Sequence, residues 1–155
     1  MSHPGFHLAQ VNIARALYPM EDPAMHGFVS RLDEINALAD ATPGFVWRLQ
    51  GEEGNALAFR VFDDPQLLIN ISVWESVVEL ENFIYRTMHV DVMRERKKWF
   101  SPPNGPNMAL WWIPAGTIPT PMDARRALAL LAEQGPTPAA FTFREQFAPA
   151  TEAAA

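Results

Sequence analysis

The sequence contains no cysteine, which excludes disulfide bonds, thiolate metal sites and a cysteine nucleophile. Charge is also scarce: 19% of the 155 residues are charged, below the roughly 25% typical of soluble domains. Positive charge is the scarcer sign, with 12 basic against 18 acidic side chains and no basic run longer than Arg96-Lys97-Lys98. Because phosphate binding needs a clustered positive field, we expect no nucleic-acid partner.

Long apolar runs are missing as well. No stretch approaches the roughly 18 unbroken apolar residues that would predict a transmembrane helix. Near the start, Gln10, Asn12 and Arg15 interrupt the apolar stretch, so residues 1–19 do not have the pattern of a signal peptide. We therefore expect a cytoplasmic protein without a membrane partner.

Apolar residues are plentiful, at 48% of the chain, and this fraction excludes a disordered protein. A chain of 155 residues is long enough for one domain with its own core. We predict a single domain over residues 1–147 and a disordered C-terminal tail over residues 148–155.

Proline is abundant, at 14 residues, and mostly marks helix boundaries. Asp22-Pro23 and Thr120-Pro121 each place a capping side chain before a proline at the first helical position, where its missing N–H costs nothing. Caps and apolar spacing predict helices over residues 23–41, from 76 to about 98, and from 120 to the helix stop at Gly135. Strands are predicted over residues 6–14, 45–50, 67–74, 108–114 and 141–147, with 57–62 as a weaker sixth.

The predicted order of elements is β-α-β-β-α-β, followed by an extra helix and a last strand. This order matches the split βαβ, ferredoxin-like motif, in which helices cover one face of an antiparallel sheet. We therefore predict the α+β class with a C-terminal extension.

Two predicted strands alternate between apolar and polar side chains, so each strand has one face of each kind. The apolar face carries Ala9, Val11, Ile13, Ile69, Ile71 and Val73, and the polar face carries Gln10, Asn12, Asn70, Ser72 and Trp74. A solvated sheet face would explain the polar side chains. A face that lines a small-molecule cavity would explain them too. Trp74 favours the cavity, because on a solvated face its large aromatic ring would be exposed to water.

The apolar face needs a cover, and two covers are available. A second copy of the chain could pack its own sheet against this face at about 10 Å, which predicts a homodimer. The C-terminal helix and the strand predicted over 141–147 are the alternative.

His89 is the histidine with the strongest aromatic surroundings in the sequence, near Tyr85 and Trp99. Its imidazole could ligate haem iron or act as a general base near neutral pH, or it could lie on a helix surface. Arg94, near the end of the same helix, would either complement the helix dipole or pair with an acidic group of a ligand. In the strand over 108–114, one of the adjacent rings Trp111 and Trp112 is expected in the core, and the other beside a site.

Several stretches resemble known proteins. Trp74-Glu75-Ser76, followed by Phe83, Tyr85 and His89, resembles the strand-to-helix passage of the dimeric α/β-barrel superfamily, which is typified by antibiotic-biosynthesis monooxygenases. Residues 7–14, 99–100, 111–116 and 135–143, with their Gly-Pro-Thr-Pro stretch, resemble one largely uncharacterised bacterial family of that superfamily. The resemblance covers nearly the whole chain and implies a ferredoxin-like, dimeric α/β barrel.

The resemblance also implies a function: a monooxygenase-like enzyme for a small hydrophobic or aromatic molecule, bound in a cleft between sheet and helices, with haem or with no cofactor. In the haem-degrading branch, an asparagine of the first strand, a tryptophan ending the third and a histidine of the next helix form the site. Asn12, Trp74 and His89 are the matching candidates, and His89 would ligate the iron if haem binds. Substrate contacts are expected from Gln10, Asn70, Ser72, Tyr85, Trp112 and Arg94.

Two other functions stay open at the level of the sequence. One is a redox-neutral isomerase, dehydratase or cyclase that uses His89 as acid and base. The other is a dimer that binds a small apolar ligand without catalysis, since a shared fold does not transmit chemistry.

Overall fold

The computed structural model describes residues 5–19, 22–30, 32–49, 67–87, 99–101 and 106–149. The strands are β1 (Phe6–Ala16), β2 (Phe45–Arg48), β3 (Leu67–Trp74), β4 (Phe100–Ser101) and β5 (Met108–Pro114). The helices are α1 (His26–Val29), α2 (Leu32–Ala41), α3 (Val77–Thr87) and α4 (Pro121–Gln134), with a 3-10 turn at Pro23–Met25 before α1. Within these ranges, every helix falls short of the length and apolar character needed to cross a membrane.

β1 is the centre of the sheet. It pairs antiparallel with β3 on one side and with β5 and the short β4 on the other. β2 pairs antiparallel with the outer edge of β3, so the order runs β2-β3-β1 and then β5. This is the strand order of a ferredoxin-like βαββαβ unit, and the predicted α+β class is confirmed.

β3 and β5 have the predicted boundaries, 67–74 and 108–114. β1 continues two residues beyond the predicted end at residue 14, and β2 ends at Arg48, before the predicted end at residue 50. The first predicted helix, 23–41, is instead divided into the 3-10 turn, α1 and α2. Ser30 ends α1, and its hydroxyl donates to the Gly27 carbonyl at 3.2 Å. Such a local bond competes with helix continuation.

The strand predicted over 141–147 needs correction. Only Phe141 forms a bridge, exchanging two backbone hydrogen bonds of 2.8 Å with Leu110 of β5. Beyond it the chain turns, because the Thr142 hydroxyl accepts from the Glu145 backbone N–H at 3.1 Å. The weaker strand predicted over 57–62 lies outside the described residues, as does the predicted continuation of α3 to residue 98.

Helices cover both faces of the sheet. α2 and α3 lie on the face that carries Leu8 and Trp74, where they share one core cluster with these residues. α4 lies on the apolar face, in a second core cluster. That cluster joins Ala124, Ala127, Leu128 and Leu131 of α4 to Ala9, Val11, Ile69, Ile71 and Val73 of the sheet.

The apolar face is therefore covered within one chain by the C-terminal helix, one of the two covers that the sequence allowed. The facing strand residues are nearly inaccessible; Val11, Ile71 and Val73 are 0% exposed. A partner sheet is not needed to bury this face, and the homodimer stays a prediction.

The two ends of α4 follow from its sequence. At the start, Thr120 and Asp123 form a capping box: each side chain accepts from the other residue's backbone N–H, at 3.1 and 2.9 Å. At the end, Gly135 has φ 72° and ψ −173°, a conformation that is essentially reserved for glycine. Its N–H donates to the Leu131 carbonyl at 3.0 Å and closes the last turn.

Replacing Gly135 with alanine should lower the free energy of unfolding by about 1–3 kcal/mol. A Cβ atom at Gly135 would meet nothing within 4 Å, so the loss comes from backbone strain alone and not from a clash. Urea unfolding of Gly135→Ala measures this loss of stability. Gln134→Ala, at the exposed neighbouring residue of the same turn, is the control. If the two variants unfold at the same urea concentration, the strain assigned to Gly135 is absent.

Candidate functional site

Four polar side chains of β1 and β3 lie together on the sheet face that α3 covers. We call Gln10, Asn12, Asn70 and Ser72 the polar cluster. The antiparallel register places Gln10 opposite Ser72 and Asn12 opposite Asn70, all on one face because strand side chains alternate. Opposite Cβ atoms of such a pair are about 4.5–5.5 Å apart, so the side chains are within contact distance.

Gln10 holds the polar cluster together. Its side chain is 3% exposed, and its Nε2 donates to Asn70 Oδ1 at 2.9 Å and to Ser72 Oγ at 2.8 Å. The Ser72 hydroxyl also accepts from the Trp74 indole N–H at 2.8 Å. Buried polar groups need such partners, and these bonds fix the orientation of the Gln10 and Asn70 amides.

Asn12 and Asn70 form the exposed edge of the polar cluster. Among the described residues, neither the Asn12 side chain nor the Asn70 Nδ2 group has a hydrogen-bond partner. Asn70 is nevertheless held in place, because its Oδ1 accepts from Gln10. The sheet thus presents neighbouring amide donors at its surface, and one of them is oriented by a buried partner.

Trp74 supports the polar cluster from the core. The residue is 0% exposed, and its ring stacks on Phe83 at a centroid distance of 5.2 Å and meets Phe45 edge-on at 5.4 Å. With its N–H donated to Ser72 and its faces packed, Trp74 has no surface left for a ligand. The predicted role of this ring as a cavity wall is therefore corrected: it anchors the hydrogen-bonded side chains beside it.

An open cavity of about 460 Å³ lies at the N-terminal end of β5. Its walls include Met108, Leu131 at the end of α4, and Phe143 and Arg144 of the C-terminal segment. Met108 is also the register partner of Asn12 on the neighbouring strand β1. No local pattern in the sequence predicts this cavity, because its walls come from three separate parts of the chain.

The sequence matches the family described as a domain of unknown function (DUF3291) over residues 7–155. The chain belongs to the DUF3291 family. The predicted membership in an uncharacterised family is thereby confirmed. No curated protein matches the chain in sequence.

Several solved structures are similar to this DUF3291 chain. The NE2512 protein of unknown function from Nitrosomonas europaea has a TM-score of 0.46 and 13% identity, over 77% of this chain and 98% of its own. A mutant of SnoaB, a cofactor-independent oxygenase from Streptomyces nogalater, has a TM-score of 0.46 and 15% identity, over 72% and 95%. A provisionally assigned antibiotic biosynthesis monooxygenase from Chloroflexus aurantiacus has a TM-score of 0.40 and 12% identity, over 74% and 97%. At these values the similarity says nothing about the activity of the DUF3291 chain.

The DUF3291 fold separates two of the predicted site residues from the polar cluster. Trp112 donates its indole N–H to the Phe147 carbonyl at 2.8 Å and so holds the C-terminal segment on the sheet. Tyr85 is 65% exposed on α3, in a surface groove that it shares with Phe143. His89 and Arg94 lie outside the described residues, and their roles stay predictions.

A haem site needs an exposed face for the macrocycle and an axial ligand. Trp74, a candidate for such a site from the resemblance, is 0% exposed and packs against Phe45 and Phe83, so its ring offers no surface to a macrocycle. The part of the chain that the structure describes also has no group of three or more His, Asp or Glu side chains that could hold a metal ion. The described residues of the DUF3291 chain therefore do not fit haem at Trp74, and we derive no step through it.

Proposed function

We propose that this DUF3291 protein is a small monooxygenase-like enzyme that oxygenates a hydrophobic aromatic molecule on the exposed edge of the polar cluster. The observation that carries the proposal is a pair of amide Nδ2 groups, those of Asn12 and Asn70, that have no hydrogen-bond partner among the described residues, with Asn70 oriented by Gln10. Exposed amide donors on a rigid sheet are suited to bind an oxygen atom on which negative charge develops.

The substrate that fits this arrangement is an aromatic ketone with an acidic methylene group, such as an anthrone. Loss of a proton from the methylene carbon moves negative charge to the carbonyl oxygen, which the N–H groups of Asn12 and Asn70 would stabilise. Donors that are oriented before the reaction are effective because they need no rearrangement as the charge appears. Gln10 and Ser72 are positioning residues in this scheme, since they hold Asn70 and do not touch the substrate.

The reaction needs molecular oxygen as its one co-substrate. The electron-rich anion reduces O2, the methylene carbon exchanges its two hydrogens for one oxygen atom, and the other oxygen atom leaves as water. The product is a quinone, and no cofactor has to supply electrons. The side chains of the polar cluster are amides and a hydroxyl, which do not accept protons near neutral pH. We propose His89, a candidate site residue from the family resemblance, as the proton acceptor.

The test is oxygen consumption with dithranol, an anthrone whose oxidation product absorbs visible light. We expect protein-dependent O2 uptake above the spontaneous rate, with quinone formed at one molecule per O2. Asn70→Asp should lower kcat/KM by about 100-fold, as the loss of an oxyanion donor does in other enzymes. Asp is the same size and still accepts from Gln10, so the fold is kept while the donor becomes a negative charge.

The control is Asn82→Asp, which makes the same change of charge at an exposed position of α3. It should leave kcat/KM unchanged. The proposal is wrong if the protein does not accelerate O2 uptake, or if both Asp variants react at the rate of the unmodified protein.

A protein that binds a ligand without catalysis is the second candidate. One observation favours it: the polar cluster consists of amides and a hydroxyl, which bind polar groups but do not transfer protons near neutral pH. Saturable binding of dithranol, with O2 uptake no faster than in buffer, would support this candidate over the enzyme.

A further inference from the structure

We propose that the cavity beside Met108 binds a hydrophobic organic acid and that Arg144 recognises its acidic group. The inference deepens the proposed function. It rests on that function only for the assumption that the bound ligand reacts at the polar cluster. It concerns a site that the sequence did not predict and a residue, Arg144, that has no part in the polar cluster.

The shape of the cavity suits a molecule of a few rings. Its volume of about 460 Å³ lies within the range of roughly 300–1,000 Å³ common for small-molecule sites. Most of its wall is apolar, and Met108, Leu131 and Phe143 contribute large apolar side chains to it. An apolar wall of this kind gives affinity for a hydrocarbon body, and the few polar groups then fix its orientation.

Among the described residues of this wall, Arg144 carries a charge. Its side chain is exposed and makes no ion pair with any described residue. The adjacent Glu145 donates its backbone N–H to the Thr142 hydroxyl at 3.1 Å, so Arg144 lies within a hydrogen-bonded turn. A guanidinium beside an apolar wall favours a ligand with a carboxylate or a similar planar anion at one end.

Met108 is the residue of the cavity wall that lies nearest the polar cluster in strand register. It is paired with Asn12, which in turn is paired with Asn70. In our proposal, the ligand lies across Met108 with its acidic end at Arg144. Only the proposed function assigns its other end to the polar cluster.

The probes are two dyes that share one ring system: 1-anilinonaphthalene-8-sulfonate, which carries an anion, and N-phenyl-1-naphthylamine, which is neutral. We expect fluorescence titration to show one sulfonate dye bound per chain, more tightly than the neutral dye. Arg144→Gln should lower the affinity for the sulfonate dye about tenfold, as expected for the loss of one charge-assisted contact. It should leave the affinity for the neutral dye unchanged. Met108→Trp should lower the affinity for both dyes, because the larger side chain fills the cavity.

The control is Arg126→Gln, which removes an exposed arginine of α4 that is not in the cavity wall. Equal affinities of the sulfonate dye for Arg126→Gln and Arg144→Gln would overturn the proposal, as would equal affinities of the two dyes for the unmodified protein. Melting curves verify that each variant is folded.

The same variants separate this inference from the proposed function. Dithranol carries no acidic side group, so its oxidation should be insensitive to Arg144→Gln and sensitive to Asn70→Asp. Dithranol turnover without selective binding of the sulfonate dye would overturn the cavity assignment alone. Selective dye binding without dithranol turnover would overturn the oxygenase alone.

Discussion

Replacing Trp74 with alanine should lower the free energy of unfolding by about 3–5 kcal/mol, the range for large aromatic residues in cores. Trp74 is 0% exposed and contacts both Phe45 and Phe83, so its removal leaves a large cavity between the sheet and α3. The substitution also removes the indole N–H that donates a hydrogen bond to Ser72. Denaturant unfolding, followed by circular dichroism, measures the loss.

Two further variants divide this effect into its parts. Trp74→Phe keeps an aromatic ring in the core but removes the bond to Ser72, and we expect it to cost less than Trp74→Ala. Tyr85→Ala removes an aromatic ring of α3 that is 65% exposed and should change stability by less than about 1 kcal/mol. A cost of Trp74→Ala as small as that of Tyr85→Ala would contradict the buried position of Trp74.

Replacing Leu128 with aspartate should also cost about 3–5 kcal/mol, because it places an unpaired carboxylate in the core. Leu128 is 7% exposed and lies in the cluster that joins α4 to the apolar face of the sheet. The substitution therefore tests whether this helix is the cover of that face. Chemical denaturation gives the change in stability, and sedimentation shows whether the uncovered sheet then associates.

Ala129→Asp is the matched control for Leu128→Asp. It introduces the same side chain at the next residue of α4, which is exposed, and should cost less than about 1 kcal/mol through helix propensity. Similar stabilities of the two variants would contradict the position of α4. In that case, a second copy of the sheet would become the better explanation of how the apolar face is buried.

The strands were well predicted because their signal is local. β3 alternates between apolar and polar side chains, and both its boundaries and its two faces agree with the sequence pattern. The caps of α4 were predicted for the same reason, since a capping box and a terminal glycine act within a few residues. The segment after Phe141 was predicted wrongly, because its apolar residues form a strand only where a partner strand is available.

The candidate site was only partly predictable. Alternation along β1 and β3 is enough to place Gln10, Asn12, Asn70 and Ser72 on one face. It does not tell which of them is buried, because burial depends on the helices above the sheet. The same dependence explains why Trp74 could be read as a cavity wall although it is packed between Phe45 and Phe83.

The α+β class, the membership in the DUF3291 family and the two faces of the central strands can all be recognised from the sequence. The class and the two faces follow from backbone periodicity and capping, which act over short distances along the chain. The cover of the apolar face by α4 and the meeting of Arg144 and Met108 at one cavity are known only from the folded structure. These residues are far apart in sequence, and their contacts depend on how separate elements pack, which no local pattern encodes.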